Sequence, residues 1–385
     1  MVIPALSSTS SVRQTSSASA NAAAGARGAV ETADVLVVGG GRWARVLIDV
    51  LCGILAPRVP LRVCSPGNAQ GMLAWARTRR AGAPLEISAA LPNAPAGAVI
   101  VANAAHDHEA TAEWALRAGS PTLVEKPVAT TAAAAQRLLD LARAHRVTLA
   151  ASHVFLFAPY VQRFAERVAA SSPVEALTLR WADPLAEHRY GEVKSYDARV
   201  PVFADWLPHV VPLVGALLGR APDRLRGVTV ARGGAAVGLD LRADDVPCTI
   251  FLERNTGERR RLVEVRARSG RVLQLDFSAE PAVIRDGERA SAEPMPASDA
   301  ERPLARMLAT FLAAAAGAAL DPRLSFETAV RACRLSDEVA VGYRRELATS
   351  LGGDADKPPQ DADIRYALAE SGHRTMPELM RTLAT

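Results

Sequence analysis

Hydrophobic and polar positions recur with two different periods along the chain, and the period changes near residue 152. From residue 34 to 151, short and wholly apolar runs alternate with segments whose apolar residues recur every three or four positions. The first kind is typical of buried strands and the second of amphipathic helices. The pattern predicts strands at 34–38, 61–65, 84–88, 97–102, 121–125 and 147–151, and helices near 42–56, 69–82, 107–119 and 130–145.

After residue 152 the strand-like runs follow one another with only turns between them. The turns are marked by sequences such as "RGG", "RADD" and "RNTGE". This arrangement favours a mostly antiparallel sheet packed by helices, an α+β domain over 152–345. The predicted strands are 174–181, 226–231, 236–242, 247–254, 261–268 and 271–277, and the predicted helices lie near 206–219, 302–317 and 326–345.

The two ends of the chain have no such pattern. Residues 1–33 are rich in Ser and Ala and contain neither an apolar h-region nor a twin-arginine pair. We expect a disordered tail there rather than a signal peptide. Residues 346–385 begin with a polar, turn-rich stretch. They are predicted to form a linker and one or two short appended helices.

Composition narrows the class of protein. Of 385 residues, 49% are hydrophobic and 22% charged, which is ordinary for a globular protein. The net charge is only +4 and the arginines are scattered among acids, so we expect no nucleic-acid partner. No apolar run reaches the ~18–20 residues of a spanning helix, so no membrane partner is expected. The four cysteines show no C-x-x-C spacing, which favours reduced thiols in a cytoplasmic protein.

Three glycines directly follow the first predicted strand, in "DVLVVGGGRWARVL" (34–47). Gly39, Gly41 and Ala44 fit G-x-G-x-x-G/A, a pattern that provides a tight turn, close approach of the backbone to pyrophosphate, and close packing of helix on strand. The helix that follows would offer its N–H groups and positive dipole end to phosphates. A plain turn is the alternative. Its position after the first strand of an alternating, hence parallel, sheet favours a doubly wound, NAD(P)-binding Rossmann domain over 34–151.

Two further clusters carry groups suited to proton chemistry. Glu125 and Lys126 end the fifth predicted strand, where ligands bind in such sheets, and Pro127 keeps Lys126 extended. Lys126 could donate to a substrate oxygen, although a surface lysine at the start of a loop is the alternative. Asp205 and His209 stand four apart and so share a helix face, which suits a proton donor or acceptor. The alternative there is a helix cap and a partly buried histidine.

Taken together and in order, these residues resemble the Gfo/Idh/MocA oxidoreductases, named for glucose–fructose oxidoreductase and inositol dehydrogenase. The resemblance covers about 34–345. The matching segments are "GGGRWA", "VANAAHDHEATAEWALRAG" (101–119), "EKP" (125–127), "HVFLFAPYVQRF" (153–164), the D-x-x-x-H of Asp205 and His209, and "RPLARMLATFLAAAAG" (302–317).

The resemblance implies a role for each matching residue. Lys126 would hold the substrate oxygen, His209 would be the general acid/base, and Asp205 would orient the substrate or His209. A cis peptide often precedes the proline after the lysine in this family, and the nicotinamide would lie between the two domains. The residues expected to bind the cofactor are Gly39, Gly41, Arg42, Trp43, Ala44, Ser65, Asn103, His108, Glu125 and Lys126.

The chain departs from the family pattern at two places. Pro212 stands three residues after His209, where family members often have an Asp, and a proline there would also loosen or kink the helix. The crossover segment reads Phe155, Leu156, Phe157 where a polar residue is frequent. Both changes favour a substrate less polar than a polyol.

The end of the second predicted strand bears on the choice of cofactor. An NAD site places an acid there to bind the ribose 2′-hydroxyl. Here the sequence is "LRVCSPGN" (61–68), with Ser65 and Asn68 and no acid. Hydroxyl and amide groups, with Arg42 nearby, could bind a 2′-phosphate, so we expect NADP, with NAD as the alternative. No metal site is expected, because the seven histidines are dispersed.

The sequence thus favours an NAD(P)-dependent oxidoreductase acting on a carbonyl or hydroxyl group of a sugar-like or specialised-metabolite substrate. Two alternatives stay open: a non-catalytic protein that senses cofactor or metabolite on the same fold, and an imine reductase of natural-product biosynthesis. We expect a homodimer or homotetramer that associates through the C-terminal sheet.

Overall fold

The computed structural model describes residues 34–56, 59–78, 85–93, 96–171, 173–184, 188–189, 192–193 and 200–352. Within this part of the chain, the first half forms a six-stranded parallel sheet with the order β3-β2-β1-β4-β5-β6. Its strands are β1 (Val35–Val38), β2 (Leu61–Cys64), β3 (Leu85–Ser88), β4 (Ala98–Val101), β5 (Thr122–Val124) and β6 (Leu149–Ala151). Its helices are α1 (Arg42–Ile54), α2 (Ala69–Thr78), α3 (His108–Arg117) and α4 (Ala132–His145).

The strands of this sheet form because their sequences are apolar on both sides. All four residues of β1 and of β4 are buried, as expected for strands covered by helices on both faces. The strand order reverses between β1 and β4, and ligands bind at the carboxyl ends of strands beside such a point. The predicted Rossmann-type fold and its alternating elements are confirmed.

The second half forms an eight-stranded sheet with the order β10-β11-β12-β7-β13-β14-β15-β16. Only the β7–β12 pair is parallel; the other neighbours are antiparallel. The strands are β7 (Val174–Pro184), β10 (Arg224–Ala231), β11 (Ala236–Ala243), β12 (Val246–Thr256), β13 (Arg260–Ala267), β14 (Val272–Asp276), β15 (Ala282–Asp286) and β16 (Arg289–Glu293). A separate two-stranded ribbon pairs β8 (His188–Arg189) with β9 (Glu192–Val193).

Four helices accompany this sheet: α5 (Pro159–Ala170), α6 (Val202–Leu218), α7 (Pro303–Ala315) and α8 (Phe326–Gly352). Helices α5, α6 and α8 share one apolar core with the buried positions of the strands. Along β7, for example, Leu177, Leu179 and Trp181 are buried, whereas Arg180 between them is exposed. The expected association of subunits through this sheet stays a prediction.

The sequence prediction missed one helix and four strands, the short ribbon strands β8 and β9 among them, and set one boundary too early. It lacks α5, although Pro159 at the first helical position and buried residues at helical spacing indicate a helix. It also lacks β15 and β16, whose five residues each include charged positions. Helix α8 continues to Gly352, so a linker beginning at residue 346 is wrong for 346–352. The rest of that segment and the tail 1–33 lie outside the described residues.

Helix α6 contains both Pro208 and Pro212 and nevertheless runs unbroken from Val202 to Leu218. Proline has no N–H, so two helical hydrogen bonds are missing. Both proline rings are buried among the apolar residues of this helix, and this packing holds the helix together. The helix therefore continues through Pro212, and the expected loosening or kink there stays a prediction. No helix among the described residues is long and apolar enough to cross a membrane.

The last two helices connect the two halves. Helix α7 follows the second sheet in sequence, but Met307, Leu308 and Phe311 belong to the core of the parallel sheet. Helix α8 begins against that sheet with Phe326 and ends in the core of the second sheet with Leu347. The relative position of the two sheets therefore depends on apolar contacts made by the C-terminal helices.

Replacing Phe311 with alanine should test this dependence. The side chain is fully buried, so we expect Phe311→Ala to lower the free energy of unfolding by about 3–5 kcal/mol. Leu320→Ala is the matched control, because Leu320 is 37% exposed and should change stability by less than about 0.5 kcal/mol. Denaturant unfolding measures both. Equal stabilities of the two variants would contradict the role assigned to α7.

Candidate active site

The turn after β1 brings the backbone close to two neighbouring segments. Gly39 has φ +154°, and a Cβ there would collide with the carbonyl of Ala102 at the end of β4. A Cβ on Gly40 would likewise collide with the hydroxyl of Ser65 at the end of β2. Glycine is therefore required at both positions by the packing of the protein itself.

Gly41 differs from the two glycines before it. A Cβ on Gly41 would have no neighbour within 4 Å, so the protein itself leaves this position open. Gly41 precedes the first turn of α1, which has neither a side-chain cap nor an acidic residue. Ala44 is fully buried and packs α1 closely on the sheet. The N–H groups of this helix terminus thus have no capping side chain, and such a terminus suits an anion.

The end of β2 carries no carboxylate at positions 65–68. Ser65 is only 2% exposed and lies behind Gly40. Asn68 is exposed and donates Nδ2 to the carbonyl oxygen of Gly40 at 2.9 Å. The Nη1 atom of Arg42 is buried and has no hydrogen-bond partner. This strand end thus carries hydroxyl and amide groups and no carboxylate at positions 65–68.

Glu125 is buried at the end of β5, and its predicted contact with the cofactor stays a prediction. Its side chain accepts a hydrogen bond from Ser152 Oγ at 2.7 Å and one from the backbone N–H of Lys126 at 3.2 Å. Burial raises the pKa of this carboxyl, while hydrogen bonds from Trp43 and Ser152 act in the opposite direction. Glu125 therefore ties the end of β5 to α1 and β6.

His108 also supports the site from below. Its Nδ1 lies 2.7 Å from the carbonyl oxygen of Pro127, and its Nε2 lies 3.2 Å from that of Asn103. Burial is the main cause of its lowered pKa, so the neutral ring donates to only one of the two carbonyls. His108 therefore links the loops after β4 and β5, and its predicted contact with the cofactor stays a prediction. Asn103 is held by Thr111 through Nδ2, at 2.8 Å.

Lys126 connects the two sheets. It follows β5, and the peptide bond between Lys126 and Pro127 is cis, as the family resemblance implies. The ammonium group donates to Oδ1 of Asp205 on α6 and lies 3.4 Å from the backbone oxygen of the same residue. The two side chains are 26% and 22% exposed. The alternative of a surface lysine is thus wrong.

Asp205 is held by two cations. Its second carboxylate oxygen accepts a hydrogen bond at 3.3 Å from Nη2 of Arg254 on β12. Burial alone would raise the pKa of Asp205, but the charges of Lys126 and Arg254 outweigh it and hold that pKa well below its usual range. Asp205 therefore stays ionised at neutral pH.

His209 lies one turn after Asp205, against aromatic rings. It stacks on Trp181 with ring centroids 5.7 Å apart and meets Phe155 edge to face at 5.2 Å. Burial, followed by the charge of Lys126, holds the pKa of His209 well below its ordinary value of 6.5. The Nδ1 atom of His209 has no hydrogen-bond partner. Asp205 therefore does not hold this nitrogen, and its carboxylate contacts Lys126 instead. The ring is neutral at pH 7 and able to accept a proton.

Arg254 and Trp181 were not among the residues found from the sequence. Each lies within a strand and belongs to no short motif. Both are far from Asp205 and His209 along the chain, so the sequence alone gives no sign of their contacts. The one local signal is that Arg254 follows Cys248, Ile250 and Leu252 in the buried alternation of β12. Among the described residues, no group of three or more His, Cys, Asp or Glu is arranged to hold a metal ion.

The first comparison is with families of known sequence. Residues 33–153 match the family model described as "Oxidoreductase family, NAD-binding Rossmann fold", GFO_IDH_MocA. The match covers the parallel sheet and ends where the crossover segment begins. No curated protein sequence matches the chain.

Solved structures resemble nearly the whole described fold. UDP-N-acetylglucosamine 3-dehydrogenase GnnA from Acidithiobacillus ferrooxidans shares 22% identity with a TM-score of 0.64, over 82% of this chain and 99% of its own. The 3-ketoreductase KijD10 from Actinomadura kijaniata, solved with TDP-benzene and NADP, shares 19% identity with a TM-score of 0.63, over 80% and 97%. At these identities the likeness shows a common fold. The family match adds that residues 33–153 are similar to the NAD-binding Rossmann domain of the Gfo/Idh/MocA oxidoreductases.

Proposed function

We propose that the chain is an NADP(H)-dependent oxidoreductase that interconverts a hydroxyl group and a carbonyl group on a sugar-like or specialised-metabolite substrate. The observation that carries this proposal is the contact between Lys126 and Asp205. It brings a cation at the edge of the parallel sheet to the helix that presents a neutral His209. The dehydrogenase and ketoreductase named above, which share the fold, support this class of reaction.

The residues around the glycine turn fit a dinucleotide. The open position at Gly41 and the uncapped start of α1 suit a pyrophosphate, which helix N–H groups bind well. Arg42 and Asn68, at the end of β2 without a carboxylate, suit a 2′-phosphate. When bound, the cofactor supplies or accepts the hydride, and the protein must place the substrate and manage the proton.

Lys126 has the role of holding the substrate oxygen. Its ammonium group is partly exposed at the junction of the two sheets, and Asp205 fixes its direction. A positive charge placed where negative charge develops on an oxygen lowers the barrier of the reaction, most of all where water is excluded.

His209 has the role of moving the proton. Because its pKa lies below 6.5, the ring is neutral at physiological pH and accepts the proton of a hydroxyl group as that group is oxidised. The reverse reaction returns the proton by the same path. No carboxylate takes part in this step, because Asp205 is already engaged by Lys126 and Arg254.

A second candidate, an imine reductase of specialised metabolism, is favoured by the rings around His209. Trp181 and Phe155 surround the imidazole, and such surroundings suit an apolar substrate better than a polyol. An imine has a nitrogen at the reacting centre where a ketone has an oxygen. A panel of ketones, secondary alcohols and imines separates the two candidates.

The glycine turn generates one prediction. Gly41→Val places a branched side chain in the open position, so NADPH binding should weaken at least about tenfold, or about 1.4 kcal/mol, while thermal stability stays near that of the wild type. Gly53→Val is the matched control, because Gly53 lies at the other end of α1 and is also open. Fluorescence titration measures binding. If Gly41→Val binds NADPH as tightly as Gly53→Val, the stretch is only a turn.

The end of β2 generates a prediction of cofactor preference. Since no carboxylate stands at positions 65–68 to repel a 2′-phosphate, NADPH should bind more tightly than NADH. Quenching of protein fluorescence, with Trp43 in the glycine turn, gives both dissociation constants. NADH binding about tenfold tighter than NADPH binding would leave the fold unaffected but refute the assignment to NADP.

Lys126 and His209 generate the prediction that tests the function. Lys126→Ala should lower turnover by about 10²–10³ and His209→Ala by about 10²–10⁴. Both variants should still bind NADPH, because neither residue lies in the glycine turn. His145→Ala, at an exposed histidine on α4, should leave turnover unchanged. Steady-state rates with the best substrate of the panel decide this.

The pH dependence of the same rates supplies a second check. Oxidation needs the neutral form of His209, whose pKa is lowered, so the rate should stay level as the pH falls from about 8 to 6.5 and decline only below that. The decline should be absent in His209→Ala. If the turnover of Lys126→Ala and of His209→Ala stays within about threefold of the wild-type value, the assignment of these two residues is refuted. A wild type that binds NADPH and converts nothing in the panel would favour a sensor.

A further inference from the structure

A guanidinium group is buried beside the site. Arg254 is 2% exposed and is among the largest fully buried side chains of the described chain. Taking such a cation out of water is costly unless an anion and hydrogen bonds compensate. Arg254 is aimed at Oδ2 of Asp205, and its guanidinium carbon lies 5.9 Å from the centre of the Trp206 ring.

The two carboxylate oxygens of Asp205 thus accept hydrogen bonds from residues of different sheets. Oδ1 accepts from Lys126, which follows β5 of the parallel sheet, and Oδ2 accepts from Arg254, which lies on β12 of the second sheet. A carboxylate held at one oxygen only can rotate about its Cβ–Cγ bond. Held at both oxygens, it presents a fixed acceptor to Lys126.

We propose that Arg254 is a positioning residue of the reaction, which locks Asp205 so that Asp205 in turn fixes the ammonium group of Lys126 toward the substrate oxygen. This inference rests on the proposed function. Arg254 also adds a second positive charge beside the carboxylate of Asp205.

A second buried arginine provides a matched control. Arg261 on β13 is 3% exposed and pairs with Asp183 rather than with Asp205. Its guanidinium carbon lies 5.7 Å from the Trp206 ring, close to the value for Arg254. Arg254→Met and Arg261→Met therefore remove the same group from similar surroundings, and only the first removes a partner of Asp205.

The chain offers a clean probe of this cluster. It has only three lysines, Lys126, Lys194 and Lys357, so protein grown with ¹³Cε-labelled lysine gives three signals. The signal missing from Lys126→Arg is that of Lys126. Since Asp205 contacts this ammonium group, protonation of Asp205 moves the signal on the acid side of a titration.

The titration of the cofactor-free protein tests the inference without any substrate. In the wild type, the acid-side change should occur well below the usual range of an aspartate, because two cations hold the pKa of Asp205 down. Arg254→Met should increase the proton affinity of Asp205 at least about tenfold. Arg254→Lys should restore most of the wild-type behaviour, and Arg261→Met should leave it unchanged.

Turnover supplies the second measurement. Arg254→Met should lower kcat about tenfold or more, while the dissociation constant of NADPH stays within about twofold, and Arg254→Lys should recover part of the loss. A Lys126 signal that titrates alike in Arg254→Met and Arg261→Met overturns the inference whether or not the wild type is active. A shifted signal in a wild type that converts no substrate would support the Asp205 lock and refute the proposed function instead.

Discussion

The ion pair between Lys126 and Asp205 is the contact on which the site depends. An exposed pair of this kind contributes little, because water screens it. Here both side chains are about three-quarters buried, and the pair spans the junction of two sheets that fold from different parts of the chain. It also fixes where His209 stands relative to the glycine turn, because Asp205 and His209 share one helix. The chemistry of the site therefore follows from how the two sheets are held together.

That geometry is maintained by apolar packing some distance away. Helix α7 returns to the parallel sheet after the second sheet is complete, and α8 runs from one core into the other. An ion pair weakens when its partners move apart, and a closely packed core keeps its residues from moving. The C-terminal helices thus supply rigidity that the charged residues cannot provide for themselves, and the polar groups of the site are free to serve the reaction.

Much of this could be predicted from the sequence where a local pattern carries the information. The apolar runs of β1 and β4 and the glycines after β1 specify a parallel sheet with a ligand edge, because each depends only on near neighbours. Lys126 could be found because Pro127 and the strand end beside it are adjacent in sequence. Helix α5 was missed although its buried residues have helical spacing. The hairpin of β15 and β16 was missed because five-residue strands that include charged residues give a weak pattern.

The partner of Asp205 could not be predicted, and the reason is physical. Spacing along a helix suggests His209 as its neighbour, since the two lie four residues apart. A carboxylate nevertheless binds the strongest cations within reach, and those come from β5 and β12, at 79 and 49 residues' distance along the chain. Only the folded sheets bring them together. The local pattern thus finds the groups of the site, and the tertiary fold decides which of them bind each other.

This division explains how the site can hold a positively charged lysine and a neutral histidine close together. The chain uses arginine almost everywhere for positive charge and keeps lysine at only three positions, one of them Lys126. An ammonium group is a compact point charge whose three N–H donors can rotate to meet an oxygen, whereas a guanidinium is a broad planar fork. Arg254 donates to one oxygen of the Asp205 carboxylate, and in the proposed reaction Lys126 would meet the substrate oxygen. The same two cations keep Asp205 ionised, and the charge of Lys126 also helps to keep His209 neutral. One arrangement of charge therefore prepares the anchor and the proton acceptor together.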